Sequence, residues 1–291
     1  MKSGYIAVVG RANAGKSTLI NVLVGEKVSI VSPKPQTTRE RILGVLTEPD
    51  FQMVFVDTPG IYKSENALSA IMQKTTTETL KDVDVVLFLM DIHNGISDND
   101  INLLSKYSGT NTILVLTKTD ITNQNFLISE MKKLNQINMP IIPISSRKGK
   151  NLKELKKVIL SLLPEGDKIF EQDIVSDRSE KFMIAEIMRE KILLLFDKEI
   201  PHGIAVIVNI FKRKENGVYE INLDIVCEKQ NHKAILIGKQ GSAIKKASSF
   251  ARAEMEKFLG AKVFLTTYIK VKDNWRDTTY LIKEFGYGEN N

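Results

Sequence analysis

The chain reads as an α/β protein: a mostly parallel sheet with helices on both faces, followed by a smaller α+β module. Three observations predict this. Short apolar runs alternate with helical patterns through the first half of the chain, the arrangement that lays strands side by side with helices across them. A glycine-rich segment, G-x-x-x-x-G-K-S, joins the first apolar run to the first helical one. A shorter glycine motif, I-G-x-x-G, lies between two helical stretches in the second half, within an order helix, strand, strand, helix, loop, helix, strand.

The bounds are simple. The 291 residues suit two medium domains, and 43% hydrophobic content is enough for two cores. The net charge is +6, from 41 basic and 35 acidic residues. That excess is compatible with a polyanionic partner without demanding one. Cys227 is the single cysteine, which excludes internal disulfides and thiolate metal sites. The chain enters its first strand almost at once, and no apolar run approaches the roughly 18 residues of a spanning helix. A soluble, cytoplasmic protein is expected.

The first run, 5–9, is Tyr-Ile-Ala-Val-Val, with the composition of a buried parallel strand. The loop that follows comprises Gly10, Arg11, Ala12, Asn13, Ala14, Gly15, Lys16, Ser17 and Thr18. Its glycines let successive N–H groups turn inward onto phosphate oxygens, and the start of the helix adds partial positive charge. Lys16 is expected at the β- and γ-phosphates, and the Ser17 hydroxyl on Mg²⁺. Strand, glycine loop and helix together make this a nucleotide-phosphate site.

Residues 33–39, Pro-Lys-Pro-Gln-Thr-Thr-Arg, form a breaker-rich loop. Thr38 is the candidate hydroxyl that meets Mg²⁺ when a γ-phosphate is present, with Thr37 the alternative. Two strand-like runs, 41–47 and 51–56, flank Glu-Pro-Asp and suggest a hairpin. The second ends in Asp57, Thr58, Pro59 and Gly60, with Ile61 next. Asp57 is expected on the metal side through a water, and the Gly60 N–H at the γ-phosphate. Lys16, Thr38 and Gly60 are thus the residues expected to act on the reacting phosphate.

Further strands are expected at 85–90, ending at Asp91, at 112–116 and at 140–144. Helical patterns are expected at 67–80, 98–107, 125–137 and 151–163. The strand at 112–116 runs into Thr117, Lys118, Thr119 and Asp120, and the last strand into Ser145 and Ser146. A carboxylate at Asp120 accepts from both N1–H and the 2-amino group of guanine. Adenine offers neither donor, so the site selects GTP and GDP over ATP. The stem of Lys118 suits the base plane, and the Ser145–Ser146 backbone the guanine carbonyl. Every motif sits at the carboxyl end of a strand, where ligands bind in such sheets.

Over residues 1 to about 166 these motifs resemble the translation-factor-like GTPases of the Ras fold. Two positions depart from the pattern: Thr117 stands where that group has asparagine, and Ser146 where it has alanine. Ile61 stands where Ras-like enzymes carry a water-positioning glutamine. The resemblance therefore implies a class with a hydrophobic residue there, in which a phosphate-loop asparagine, here Asn13, binds K⁺ in place of an arginine finger.

Residues 165–181 read as a linker, after which Ser179 is placed to cap a helix over 182–196. Strands follow at 204–211 and 219–226, a helix ends at Ile237, and a long helix and a strand (263–271) close the pattern. Between the two helices lie Gly238, Lys239, Gln240 and Gly241. This resembles a KH domain of the bacterial type (type II), whose G-x-x-G turn clamps single-stranded RNA. Ile237 to Gly241, with Lys245 and Lys246 on the next helix and Arg252 beyond, form the expected RNA surface. The expected layout is a GTPase domain over 1–166, a linker over 167–181 and an RNA-binding domain with a C-terminal tail over 182–291.

A phosphate-loop GTPase followed by this module resembles the Era family of ribosome-assembly GTPases across nearly the whole chain. Segments 35–39, 57–60, 177–182 and 237–241 all match it. The resemblance implies binding near the 3′ end of small-subunit ribosomal RNA, in a precursor of that subunit. It also implies loose peripheral association with the inner face of the cell membrane. Two other classes compete with a GTPase switch. A constitutive RNA-binding protein on an inert nucleotide fold is opposed by intact Lys16, Ser17, Asp57 and Asp120. An RNA-modifying enzyme lacks any cofactor fingerprint beyond the phosphate loop.

Overall fold

The computed structural model describes residues 1–60, 66–79, 81–107 and 111–288. The chain falls into two compact units. The first takes most of the chain to Asp177; the second takes Ile30–Thr37, a short piece ending at Met72, and the chain from Arg178 on.

In the first unit a six-stranded sheet runs β2-β3-β1-β4-β5-β6. The strands are β1 (Lys2–Gly10), β2 (Ile42–Glu48), β3 (Phe51–Asp57), β4 (Val85–Asp91), β5 (Thr112–Thr117) and β6 (Ile141–Pro143). All neighbours are parallel except β2 and β3, which form the expected hairpin. The helices are α1 (Lys16–Val24), α2 (Ala67–Thr79), α3 (Asp98–Ser105), α4 (Gln124–Lys132) and α5 (Leu152–Leu162). Period-2 alternation sorts the two faces of β1. Ile6 and Val8 pack with Leu19 and Ile20 of α1 and Leu155 and Ile159 of α5. Ala7 and Val9 face the opposite core, with Leu104 of α3 and Leu134. Burial on both faces explains the near-continuous apolar runs.

Two helices are shorter than their patterns suggest. After Lys132 the N–H groups of Lys133, Leu134 and Asn135 bond to carbonyls three residues back, and Lys106 and Tyr107 do the same after α3. The last turns tighten toward 3₁₀ geometry, so 133–137 and 106–107 leave the α-helix. The segment 165–177, breaker-rich in sequence, is fastened along the first unit. The Gln52 side chain accepts from the Ile169 and Phe170 N–H groups and donates to the Phe170 carbonyl. Val45 N–H bonds to the Val175 carbonyl, and Leu43 N–H to the Asp177 carboxylate.

The second unit holds a sheet of β7 (Ala205–Arg213), β8 (Tyr219–Cys227) and β9 (Val263–Val271), in that order. β7 and β8 are antiparallel; β8 and β9 are parallel. One face carries α6 (Glu180–Leu195), α7 (Gln230–Ile237) and α8 (Ser242–Leu259), through Ile187, Leu223, Leu236 and Ala251. α6 starts two residues before the expected Phe182, because the Ser179 hydroxyl accepts from the Phe182 N–H and so makes Glu180 the first helical residue. A last helix, α9 (Thr279–Glu284), follows a turn built on Trp275. The Trp275 ring is fully buried, donates its indole N–H to the Gly203 carbonyl at 2.9 Å, and packs against Phe285 and Tyr287.

That packing yields a prediction. Trp275→Ala removes a large buried ring and leaves the Gly203 carbonyl unpaired, so the second unit should lose about 3–5 kcal/mol. Urea unfolding followed by circular dichroism should show an earlier transition, with nucleotide binding by the undisturbed first unit retained. A loss below about 1 kcal/mol would contradict the packing role.

Candidate nucleotide and RNA sites

β1 ends at Gly10, where the backbone (φ +149°) passes so close to β4 that a Cβ would lie 2.5 Å from the Leu89 carbonyl oxygen. The loop then turns through Asn13 (φ 64°) and Gly15 (φ 94°), the residue before α1. Lys16 opens that helix and is 7% exposed, its Nζ donating to the Gly10 and Arg11 carbonyls at 3.2 and 3.1 Å. Burial pulls its pKa down, and the Asp57 charge opposes the shift. Gly60 lies directly over the lysine: a Cβ there would stand 3.2 Å from Lys16 Nζ and 3.4 Å from the Ala12 nitrogen. The Thr58 hydroxyl donates to the Val8 carbonyl, and the Pro59 carbonyl accepts from Thr76. The turn after β3 is thereby tied to β1 and α2. Thr18 follows on the first turn of α1. Ile61 lies outside the described residues.

Ser17, Thr38 and Asp57, far apart in sequence, meet at one point. Ser17 Oγ donates to Asp57 Oδ2 at 2.7 Å, and Thr38 Oγ1 donates to the same oxygen at 3.3 Å. The two hydroxyls are 3.0 Å apart. Asp57 is fully buried, and burial raises its pKa against the opposing effects of Ser17 and Lys16. Its other oxygen, Oδ1, is buried with no hydrogen-bond partner. An orphaned carboxylate oxygen beside two hydroxyls is a hard, all-oxygen donor set that fits Mg²⁺. Thr37 is turned elsewhere: its hydroxyl donates to the Lys34 carbonyl at 2.6 Å. Of the two threonines, only Thr38 reaches this cluster.

The base-reading residues assemble at the ends of β5 and β6. The Ser145 hydroxyl donates to Asp120 Oδ1 at 2.7 Å. That bond holds the Asp120 carboxyl below its usual range, with Arg147 and Lys148 helping, although the group is exposed. Lys118 (φ 61°) sends its ammonium to Asp91 at 2.6 Å, which stretches its stem between the two strand ends. Thr119 donates to the Ile144 carbonyl at 2.9 Å and ties the motif to the strand before Ser145 and Ser146. Thr117, buried, donates its hydroxyl to the Ala14 carbonyl at 2.8 Å, with the Met90 carbonyl at 3.2 Å. The threonine thus clips the base loop to the phosphate loop.

Sequence reasoning passed over Asp91, the Lys118 partner, and Asp100, which holds Arg11 at 3.3 Å. Asp91 had a legible signal, a carboxylate at the carboxyl end of a buried strand, paired in register with Thr117. Asp100 had none, since its approach to Arg11 depends on how α3 lies along the sheet.

In the second unit, α7 ends at Ile237 and the chain turns through Gly238 (φ 72°), Gln240 (φ 51°) and Gly241 (φ 75°) into α8. A Cβ at Gly238 would lie 2.7 Å from the Ala243 Cβ. The turn is closed by Gly241 N–H on the Gly238 carbonyl at 3.2 Å, and Lys239 and Gln240 at its tip are exposed. Lys245 and Lys246 follow on the exposed side of α8. Arg252 is also exposed but pairs with Glu256 at 3.6 Å.

Comparisons with known proteins agree with this fold. Residues 5–118 match the family model described as 50S ribosome-binding GTPase, and residues 199–276 the KH domain model. GTPase Era of Clostridium kluyveri is 46% identical over 291 residues, 99% of each chain. The chain belongs to the Era family of GTPases. GTPase Era of Clostridium botulinum is 44% identical over 98% of each chain. The fold also superposes on a crystal structure of Era in complex with MgGDPNP and nucleotides 1506–1542 of 16S ribosomal RNA. The TM-score is 0.94 at 38% identity, covering 99% of this chain and 100% of that one. A variant of Aquifex aeolicus Era bound to GDP.AlF4− gives 0.93 at 38% identity, with the same coverage.

Within this Era-family site, Thr117→Val keeps the side chain's size and removes one buried donor. A net hydrogen bond is worth about 1 kcal/mol, so affinity for a fluorescent GDP should fall roughly five-fold, and Thr117→Asn should restore it. Unchanged affinity in the valine variant would show that the clip does not shape the site.

Proposed function

We propose that this chain is a GTP-hydrolysing, RNA-binding switch acting in small-subunit assembly, binding near the 3′ end of the subunit's ribosomal RNA. The observation that carries the reading is the meeting of Ser17, Thr38 and Asp57 around one buried, half-satisfied carboxylate. Residues 1–166 are read as the GTPase domain, 167–181 as the connecting segment and 182–291 as the RNA-binding domain.

The reaction needs positioning and charge neutralisation rather than a side-chain nucleophile. The backbone of Gly10 to Thr18 cradles the phosphates, and Lys16, already lodged against the loop, exchanges its two carbonyl contacts for phosphate oxygens. Ser17, Thr38 and Asp57 would hold Mg²⁺, which would supply charge neutralisation at the phosphates. Gly60, close over Lys16, offers its N–H to the γ-phosphate side. Asp120, held by Ser145, accepts from guanine, while the Lys118 stem covers the base. Thr38 is read as the switch element, its hydroxyl meeting Mg²⁺ when a γ-phosphate is present.

Two finer parts of the reading rest on the family resemblance. Asn13, exposed in the phosphate loop, would hold a K⁺ ion. Turnover should then be slow, faster in K⁺ than in Na⁺, and Asn13→Ala should erase the difference. Equal phosphate release in both salts by the unaltered protein would refute it. Peripheral membrane association and a cytoplasmic location are the other part. Among the described residues no helix is long and apolar enough to cross a membrane.

For the RNA half, replacing Lys239 and Gln240 by Asp places two negative charges where a phosphate should sit and leaves both glycines in place. Each repulsion is worth about 1 kcal/mol or more even when well solvated. Filter binding of single-stranded RNA should fall at least ten-fold while GTP affinity holds. Undiminished RNA binding would reduce the loop to a structural turn.

A further inference from the structure

The sheet of the second unit has a second face, opposite the core of α6, α7 and α8; Asp224 and Val226 are buried on it, while its β9 edge is open to solvent. Side chains alternate along a strand, and Val263, Leu265, Ile269 and Val271 of β9 belong to the core side. Phe264, Thr266, Tyr268 and Lys270 therefore point the other way. Phe264 is 59% exposed and Tyr268 54% exposed, unusual for rings on a regular strand. They lie four residues apart on one strand, about 13 Å, so each can take a separate partner.

Cations frame the two rings. At the turn joining β7 to β8, Lys212, Arg213, Lys214, Glu215 and Asn216 line an open cleft of 490 Å³. Lys214 Nζ stands 5.9 Å from the Phe264 ring centroid. Lys212 sits in the same cross-strand row as Glu220 and Phe264. At the other end is Lys270. Two of these cations pair with carboxylates on the face, Lys214 with Glu220 at 3.1 Å and Lys270 with the buried Asp224 at 2.6 Å, so a phosphate there takes the place of a carboxylate. Polar Asn222 and Thr266 occupy the row between the rings, paired in register, so the face is not a continuous apolar patch. A lipid surface or a hydrophobic protein partner needs such continuity. Separated rings with flanking cations suit bases that stack and phosphates that pair.

We propose that this open sheet face is a second single-stranded RNA contact, separate from the G-x-x-G turn, with Phe264 and Tyr268 as stacking platforms and Lys212, Lys214 and Lys270 as phosphate partners. It rests on the reading of this unit as RNA-binding and extends the path of the bound strand beyond the nucleotides the turn can clamp.

The test uses the full chain and two unstructured oligoribonucleotides, one of five nucleotides and one of twenty. Phe264→Ala/Tyr268→Ala should leave the short oligonucleotide, which fills the turn alone at about four nucleotides, unaffected. It should weaken the long one roughly thirty-fold or more, the lower range of two lost stacking contacts. Lys212→Glu/Lys214→Glu should weaken only the long one and flatten its salt dependence. Unchanged affinity for the long oligonucleotide overturns the proposal. Equal loss on both lengths overturns it too, because the rings would then act through the turn or the fold. So does lost binding to anionic phospholipid vesicles with RNA affinity intact, which would assign the face to a membrane. The aspartate variant at Lys239 and Gln240 separates the two readings. If it leaves both oligonucleotides bound, the turn reading fails; if the ring variant still weakens the long one, the sheet face stands.

Discussion

The first unit depends on one buried anion. Asp57 is fully enclosed, its charge disfavoured by that burial, and the Ser17 and Thr38 hydroxyls and the Lys16 charge are among the groups that offset the cost. A buried carboxylate without partners reverts to its neutral form. Each partner therefore has to arrive from a different part of the chain: Lys16 and Ser17 from the start of α1, Thr38 from the loop before β2. The parallel pairing of β1 with β3 sets Val8 opposite Asp57, and so brings the phosphate loop alongside the carboxylate. One carboxylate oxygen stays unbonded inside this shell. The site has the donors for a hard cation without having enough of its own hydrogen bonds to do without one.

The base-reading region follows the opposite logic. Asp120 is exposed, and its hydrogen bond from Ser145 keeps it ionised. The base-reading role proposed for it needs an acceptor already charged and aimed, with the desolvation deferred until a base covers it. Rigidity comes from neighbours. Thr117 reaches the Ala14 carbonyl, Lys118 reaches Asp91, and Thr119 reaches the Ile144 carbonyl. A threonine hydroxyl is shorter than an asparagine amide, yet one donor is enough to join two loops once the strands beneath them are packed.

In the second unit the two faces of the sheet differ in character. Its inner face closes a core with α6, α7 and α8, which holds the G-x-x-G turn at the junction of two helices. Its outer face leaves two aromatic rings in solvent among lysines.

The sequence determined the elements and the motifs, because both are local. Apolar runs mark strands buried on two faces, G-x-x-x-x-G-K-S marks a strand-to-helix turn, and I-G-x-x-G marks a tight helix-to-helix turn. Phosphate and RNA chemistry were legible for the same reason: they are carried largely by backbone geometry that glycines announce. Other features had to wait for the tertiary structure. That the Thr38 hydroxyl and not that of Thr37 bonds to Asp57 depends on how the loop folds, and adjacent residues in a loop do not differ in composition. The early ends of α3 and α4 came from tightening of their last turns, which helical periodicity does not record. The fastening of 165–177 depended on Gln52, more than a hundred residues away, whose amide satisfies two backbone N–H groups at once. Such contacts join distant parts of the chain, and only packing decides which of them meet.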